Sequence, residues 1–150
     1  MLRVELVIFT GLPAAGKSTY YRELFAATHV HVSKDLMPNA ARRDEKQQRL
    51  VEQALKAGQS VVVDNTNPSV AVRAPLIAIG RRHGARVIAY FFECPIRACI
   101  MRNRNREGKA KVPEVAIFTT AKRLVRPSVE EGFDEVHVIQ CTPLADSSGE

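Results

Sequence analysis

The chain has no tryptophan, three cysteines and no apolar run of membrane-spanning length in its 150 residues. Cys94, Cys99 and Cys141 are odd in number and lack metal-ligand spacing, so we expect reduced thiols in a cytoplasmic protein. Because no apolar run is long enough to span a membrane, we expect no membrane contact. An aromatic content of 6% offers few rings on which bases could stack, which disfavours a basic nucleic-acid-binding protein without catalysis. Internal repeats and low-complexity segments are also missing, and no obligate protein partner is evident.

The composition is typical of one globular domain, with 45% hydrophobic and 25% charged residues. A chain of this length can bury a core without staples or metals. We therefore expect a single domain over residues 1–141 and a disordered tail over residues 142–150.

The net charge of +6 is concentrated between residues 97 and 126. This block favours a polyanionic partner, meaning nucleotide phosphates or a nucleic-acid backbone, although a solvated basic helix face is an equal alternative. Its nine bases, against only two acids, are Arg97, Arg102, Arg104, Arg106, Lys109, Lys111, Lys122, Arg123 and Arg126.

Short apolar runs alternate with segments of helical composition along the chain. This alternation predicts an α/β fold with a mostly parallel sheet of about five strands and helices on both faces. Ligands of such sheets bind at the carboxyl ends of the strands, which brings residues 11–19, 33–35 and 64–67 to one edge. The predicted strands are 4–9, 29–32, 61–63, 86–92 and 136–139, and the predicted helices are 17–27, 42–57, 69–83, 96–107 and 114–125.

Residues Gly11 to Ser18 match the phosphate-loop pattern, between a predicted strand and a predicted helix. The pattern predicts that Lys17 reaches the β- and γ-phosphates of a nucleoside triphosphate and that the Ser18 hydroxyl binds Mg²⁺. Glycines let backbone amides converge on phosphate oxygens, and a plain glycine-rich turn is the alternative. The other expected donor contacts are Gly11, Gly16, the amides of Ala14 and Ala15, and Thr19.

Two aspartates follow predicted strands at the same edge. Asp35 is a candidate general base that orients an acceptor hydroxyl and takes its proton late, but a turn-forming or helix-capping aspartate is equally compatible. Lys34 beside it could hold an acceptor phosphate. Asp64 follows three valines, where an acid could hold Mg²⁺, or it could simply end the strand in a turn.

Arg102 and Arg106 are four residues apart and share one face of a predicted helix. Beside the polar segment 108–112 they could form a short basic lid that neutralises charge on a transferring phosphoryl group. A solvated stripe is the alternative, and Arg104 lies on another face.

These motifs together resemble the polynucleotide 5′-hydroxyl kinases, in particular the kinase domain of polynucleotide kinase 3′-phosphatase. The resemblance extends from about Val4 to Ile139 and implies the P-loop NTPase/kinase fold. The matching stretches are Gly11–Thr19, His31–Asp35, Asp64–Pro68 with Arg73 nine residues after Asp64, Arg102-Asn103 with Arg106 and Val112-Pro113, and Glu131–Phe133.

The resemblance implies an ATP-dependent kinase that transfers the γ-phosphate to a nucleic-acid 5′-hydroxyl, DNA or RNA, with Asp35 as the base. It also implies that Arg102 and Arg106 contact the donor and that Arg73 faces the acceptor strand. Two departures concern the acceptor: position 34 is Lys where the family usually has Arg, and Pro38 stands where the phage-type members place an acceptor-binding Arg. Lysine cannot make the bidentate phosphate contact of arginine.

Other functions fit parts of the pattern. A kinase of a small metabolite or nucleoside would keep the fold and change the acceptor, whereas an ATP-gated binding module would have no acceptor. The chain has no Asn-Lys-x-Asp guanine signature, which argues against a GTPase switch. It also has no Asp-x-Asp-Gly phosphatase signature, so we expect kinase activity without 3′-phosphatase activity.

Overall fold

The computed structural model describes residues 3–37 and 41–141. Its five strands form one sheet in the order β2-β3-β1-β4-β5, and every neighbouring pair is parallel. The predicted α/β fold with a parallel sheet is therefore confirmed. The strands are β1 (Glu5–Gly11), β2 (His29–Val32), β3 (Ser60–Val63), β4 (Arg86–Glu93) and β5 (Glu135–Gln140).

Five α-helices connect or follow the strands, with 3₁₀ turns at residues 34–36, 108–110 and 129–131. Ser69 caps the third helix, because its hydroxyl accepts from the Val72 N–H at 3.3 Å. The fourth helix ends at Arg104, three residues before its predicted end. The helices are α1 (Lys17–Leu24), α2 (Arg43–Lys56), α3 (Val70–Arg82), α4 (Ile96–Arg104) and α5 (Glu114–Arg123).

Alternate residues of β1 face opposite sides of the sheet, as the two-residue period of a strand requires. Leu6 and Ile8 pack in a cluster with α2 and α3, while Val7 and Phe9 pack in a second cluster with α1, α4 and α5. Both clusters are buried, so β1 is apolar on both faces. Packing on both faces holds β1 in place, and this fixes the position at which the following loop begins.

The large apolar residues of the predicted helix over residues 114–125 are only partly buried. Ile117 is inaccessible to solvent, whereas Phe118 and Val125 are 44% and 46% exposed. Phe118 turns toward solvent because adjacent helical positions differ by about 100°, whereas Val125 lies beyond the end of α5.

The cysteines differ from the expectation of three reduced thiols. Cys94 and Cys141 form a disulfide with their Cα atoms 4.8 Å apart, and only Cys99 is free, in the core. The pairing follows from the topology: both residues come directly after neighbouring parallel strands, β4 and β5. A separation of 47 residues hides this proximity in the sequence.

None of the helices in the described ranges has the length and apolar character that a membrane crossing requires. The predicted tail over residues 142–150 and the departure at Pro38 lie outside the described residues.

Candidate active site

A cleft of about 690 Å³ opens at the carboxyl edge of the sheet, where β1, β2 and β3 end. An adjoining pocket of about 450 Å³ is lined by Ala15 and Arg102, and it shares Ala14, Gly16, Thr19 and Arg106 with the cleft. The structure thus brings most of the predicted site residues together. Those lining the cleft are Ala14, Gly16, Lys17, Ser18, Thr19, Lys34, Asp35, Asp64 and Arg106.

The loop between β1 and α1 has the geometry of a phosphate cradle. Ala14 and Gly16 have φ angles of 65° and 92°, in the left-handed region, and these kinks curve the backbone around the cleft. The first bond of α1 runs from the Tyr20 N–H to the Gly16 carbonyl at 3.0 Å. The amides of Lys17, Ser18 and Thr19 precede that bond and remain available to an anion.

Gly11 has a different role from the predicted phosphate contact. Its N–H already donates to the Thr66 carbonyl at 3.1 Å, so that amide is not free for a phosphate oxygen. A Cβ at this position would lie 3.0 Å from Phe92 Cβ and 3.2 Å from the Phe92 carbonyl oxygen. Glycine is therefore needed for the close approach of β1 and β4.

The Lys17 ammonium lies inside the loop, with only 8% of the residue exposed. It donates to the carbonyls of Leu12 at 2.5 Å and Gly11 at 3.2 Å. Burial lowers the pKa of Lys17 to about 8, and attraction to the Asp64 carboxylate offsets only part of that shift. Lys17 is thus still a cation at neutral pH, and a bound anion would stabilise its charged form.

Asp64 is buried at the end of β3 and is contacted from both sides. The Ser18 hydroxyl donates to its Oδ2 at 2.7 Å, and His31 Nε2 lies 2.8 Å from the same oxygen. The Tyr21 ring stacks on His31 with centroids 3.9 Å apart and fixes the imidazole plane. The sequence interpretation gave His31 no role of its own, although this residue begins the His31–Asp35 stretch that resembles the polynucleotide kinases.

Asp35 is exposed and lines the cleft, one turn beyond β2. Its backbone N–H donates to the Ser33 hydroxyl at 3.2 Å, so Ser33 is the capping residue and the Asp35 carboxylate projects from the turn. The neighbouring Lys34 ammonium contacts Asp44 at 2.5 Å. Lys34 therefore lines the cleft while already paired with a carboxylate.

The segment from Asp64 to Pro68 fastens three parts of the site together. The Asn65 side chain accepts from the Lys34 N–H at 2.9 Å and donates to Gln47, while Asn67 donates to the Phe9 carbonyl at 2.7 Å. Both asparagines therefore have a structural role, since their side chains tie this turn to the Lys34 backbone, to Gln47 and to β1.

Arg73 does not face an acceptor strand, and that expectation is wrong in this structure. The side chain is fully buried and forms a bidentate ion pair with Glu131, with both N–O distances 2.9 Å. Its Nη1 also donates to the Asn67 carbonyl at 2.9 Å. A charge this buried needs protein partners, so Arg73 supports the Asp64–Pro68 segment from beneath.

The predicted basic lid lies against the phosphate loop. A Cβ at Gly16 would come within 3.2 Å of Arg102 Nη1, and Arg106 lines both cavities. Asn103 between them is buried and bonds Val112 twice, to its carbonyl at 2.7 Å and from its N–H at 2.9 Å. Arg104 points elsewhere, to Glu114, as its position on the helix predicted.

A family model described as an AAA domain matches residues 6–127. The match covers both the phosphate loop and the lid. This chain belongs to that AAA domain family.

Among curated proteins, the AAA domain is 30% identical over 156 aligned positions to the bifunctional polynucleotide phosphatase/kinase of Schizosaccharomyces pombe. The alignment covers 95% of this chain, but the chain spans only 35% of that relative's length. The resemblance to the polynucleotide kinase family is thereby confirmed.

Solved structures show the same fold. A fungal RNA kinase superposes with a TM-score of 0.73 at 19% identity, covering 100% of this chain and 41% of that one. A sugar kinase from Janibacter superposes with a TM-score of 0.68 at 16% identity, covering 92% and 86%. These superpositions, together with the match to the family model, support the predicted P-loop kinase fold.

The cleft of this AAA domain also has basic walls that the sequence interpretation did not assign. A single arginine on a polar helix does not indicate a binding site in the sequence, because only the fold shows that it lies at the carboxyl edge of the sheet. Arg22 and Arg43 line the cleft without a role from the sequence, and they are joined there by Lys109 and Arg123 of the basic block between residues 97 and 126.

Proposed function

We propose that this domain is an ATP-dependent kinase that transfers the γ-phosphoryl group to the 5′-hydroxyl of a nucleic acid. The observation that carries the proposal is the exposed Asp35 carboxylate, which lines the same cleft as the phosphate loop. A donor site with a carboxylate beside it suits transfer to an acceptor hydroxyl rather than binding alone.

The donor triphosphate is bound by the loop amides, with Lys17 leaving the Gly11 and Leu12 carbonyls to meet the β- and γ-phosphates. Arg102 and Arg106 approach from the lid and neutralise charge on the transferring group. Water is excluded as the lid contacts the loop.

Ser18 and Asp64 fit a Mg²⁺ ion, because two oxygen ligands lie 2.7 Å apart beside the cradle. The described residues contain no cluster of three or more His, Cys, Asp or Glu side chains that could enclose a metal by themselves. Magnesium prefers such a partial protein shell completed by phosphates and water, and it would supply charge neutralisation on the β- and γ-phosphates.

In the transfer step the acceptor 5′-oxygen forms a bond to the γ-phosphorus while the bond from that phosphorus to the β,γ-bridging oxygen breaks. ADP is the leaving group, and the hydroxyl proton passes to the Asp35 carboxylate. An ordinary aspartate suffices, since the proton leaves late, when the oxygen has become acidic.

The charge of the cleft supports an anionic acceptor. Seven basic residues and two acids line it, whereas ATP with Mg²⁺ carries about −2. A neutral sugar or nucleoside would leave this excess uncompensated, and the phosphates of a nucleic acid would balance it. The basic residues are Lys17, Arg22, Lys34, Arg43, Arg106, Lys109 and Arg123, and the acids are Asp35 and Asp64.

The test is phosphate transfer from γ-labelled ATP to matched acceptors: 5′-hydroxyl DNA and RNA oligonucleotides, a nucleoside and a simple sugar. We expect the highest kcat/KM for an oligonucleotide, with a KM that rises steeply with salt. A nucleoside or sugar that is phosphorylated more efficiently than both oligonucleotides would overturn the proposal. A result in which the domain hydrolyses ATP but phosphorylates none of these acceptors would also overturn the proposal.

A further inference from the structure

The disulfide between Cys94 and Cys141 lies at the carboxyl edge of the sheet, where β4 and β5 end. The Cα atoms of the two residues are 4.8 Å apart, inside the range of about 4.4–6.8 Å that a disulfide bridges. Each residue is half-buried, so small molecules in solvent can reach the bridge. The third cysteine, Cys99, is buried in the core and is not part of this pair.

The bridge belongs to a wall of the pocket that adjoins the cleft. Cys141 lines this pocket of about 450 Å³ together with Ile139 and Gln140 of β5. The opposite wall is the phosphate loop and the start of α1, where Gly16 and Thr19 line both cavities. A triphosphate bound to the loop amides must place its nucleoside outside the cradle, and this pocket is the space that continues from the loop.

The bridge also reaches the helix that carries the lid arginines. Cys94 directly precedes Pro95, which is the N-cap of α4. From the same helix, Arg102 extends its Nη1 to within 3.2 Å of a Cβ built at Gly16. One covalent link therefore joins the end of β5 to the beginning of the lid helix, and it holds two walls of the pocket together.

Without the sulfur–sulfur bond, hydrogen bonds to Glu93 would hold the end of β5. The Cys141 N–H donates to the Glu93 carbonyl at 3.1 Å, and Gln140 Nε2 donates to Glu93 Oε1 at 2.8 Å. These bonds would keep the two thiols adjacent and the strands paired. They lie at the end of an outer strand of the sheet, however, where backbone bonds open readily. Reduction would thus preserve the fold and loosen the pocket wall.

We propose that Cys94 and Cys141 are a reversible thiol–disulfide pair that controls the affinity of the domain for its nucleotide donor. The inference rests on the proposed function for the place of that donor. In the oxidised form the bridge holds the wall in position, so ATP binds to a wall that is already ordered. In the reduced form ATP must order the wall as it binds, which weakens the binding.

The co-reactant is a small thiol of the glutathione class. Its thiolate attacks one sulfur of the bridge, which breaks the sulfur–sulfur bond, forms a mixed disulfide and leaves the other cysteine to take a proton. A second small thiol attacks the mixed disulfide and releases the remaining cysteine, which also takes a proton. The protein gains two electrons and two protons, two small thiols become one disulfide, and the reverse sequence reoxidises the pair.

The first experiment counts thiols. The full chain is equilibrated in mixtures of reduced and oxidised glutathione, unfolded in an alkylating reagent and weighed by mass spectrometry. We expect one alkylated cysteine, Cys99, at the oxidised end and three at the reduced end, with the change reversible. Three alkylated cysteines in every mixture, or one in every mixture, would overturn the proposal.

The second experiment measures the Kd of ATP by calorimetry in oxidising and reducing buffer. Reduction of the wild type should raise this Kd roughly 2- to 10-fold, the cost of ordering one or two side chains on binding. Cys94→Ser and Cys141→Ser should bind ATP like the reduced wild type in both buffers, whereas the matched control Cys99→Ala should respond like the wild type.

An equal Kd for the wild type in both buffers would reject the inference, and so would a serine variant that still responds or a Cys99→Ala variant that does not. The wild type needs no substitution, so its two values decide if a variant misfolds. Phosphate transfer separates this inference from the proposed function. ATP binding that depends on reduction, without transfer to any acceptor, would refute the kinase alone. Transfer with an ATP affinity that ignores reduction would refute the thiol pair alone.

Discussion

ATP binding should take up protons above neutral pH, because burial lowers the pKa of Lys17 to about 8 in the free protein. A bound triphosphate would place negative charge beside the ammonium and raise this pKa back toward the ordinary lysine value of about 10.4. The proton that Lys17 lacks before binding is then taken from solvent.

The size of the effect follows from the fraction of Lys17 that is neutral before ATP binds. With a pKa of about 8, this fraction is about 0.1 at pH 7, about 0.5 at pH 8 and about 0.9 at pH 9. These fractions are the expected numbers of protons taken up per ATP bound. The triphosphate itself is fully ionised at pH 8 and 9, since phosphate has its second pKa near about 6.

Calorimetric titration in buffers of different ionisation enthalpy measures this uptake directly. A parallel NMR titration of labelled lysine should show one signal with a midpoint near pH 8, missing in Lys17→Arg. Uptake below about 0.2 protons at pH 9 would refute the reasoning, as would a Lys17 midpoint above about 10.

The same shift predicts how stability depends on pH. Below pH 8 Lys17 is charged in both states and the folded protein bears the full cost of burying the ammonium. Between pH 8 and the unfolded value of about 10.4 the unfolded chain binds more protons, so this group makes stability rise with pH, by about 3 kcal/mol in all.

Three further substitutions test the supports of the site. Arg73→Met should lower the free energy of unfolding by about 3–5 kcal/mol, because Glu131 would stay buried without its cation; an unchanged denaturant midpoint would contradict this. Asn103→Ala should speed proteolysis within residues 105–111, since both bonds to Val112 are lost, and equal cleavage rates would show that Asn103 does not hold the lid. Gly11→Ala should cost about 1–3 kcal/mol, because its methyl group would meet Phe92, and a variant as stable as wild type would disprove the close-packing role.

The sheet could be predicted because each strand is an apolar run between turn residues. Strands that alternate with helices along the chain are compatible with only a few sheet topologies. The phosphate loop could be predicted because its spacing is local: Gly16, Lys17 and Ser18 act within one turn of chain. Helix ends were less exact, as for α4, where the side chain of Asn103 and the lid decide the last turn.

Residues that depend on distant partners could not be placed from the sequence. Arg73 was expected at the acceptor, but its role is set by Glu131, 58 residues away. Likewise His31 becomes part of the site only because β2 and β3 end side by side, which brings its imidazole to Asp64. The pairing of Cys94 with Cys141 has the same cause.

The most direct test of the central claim is phosphate transfer by Asp35→Asn. This substitution keeps the shape of the side chain and removes its capacity to accept the proton. We predict unchanged ATP affinity and a loss of at least about 100-fold in kcat with a 5′-hydroxyl oligonucleotide, the lower bound for a positioned general base. Transfer at the wild-type rate would contradict the account.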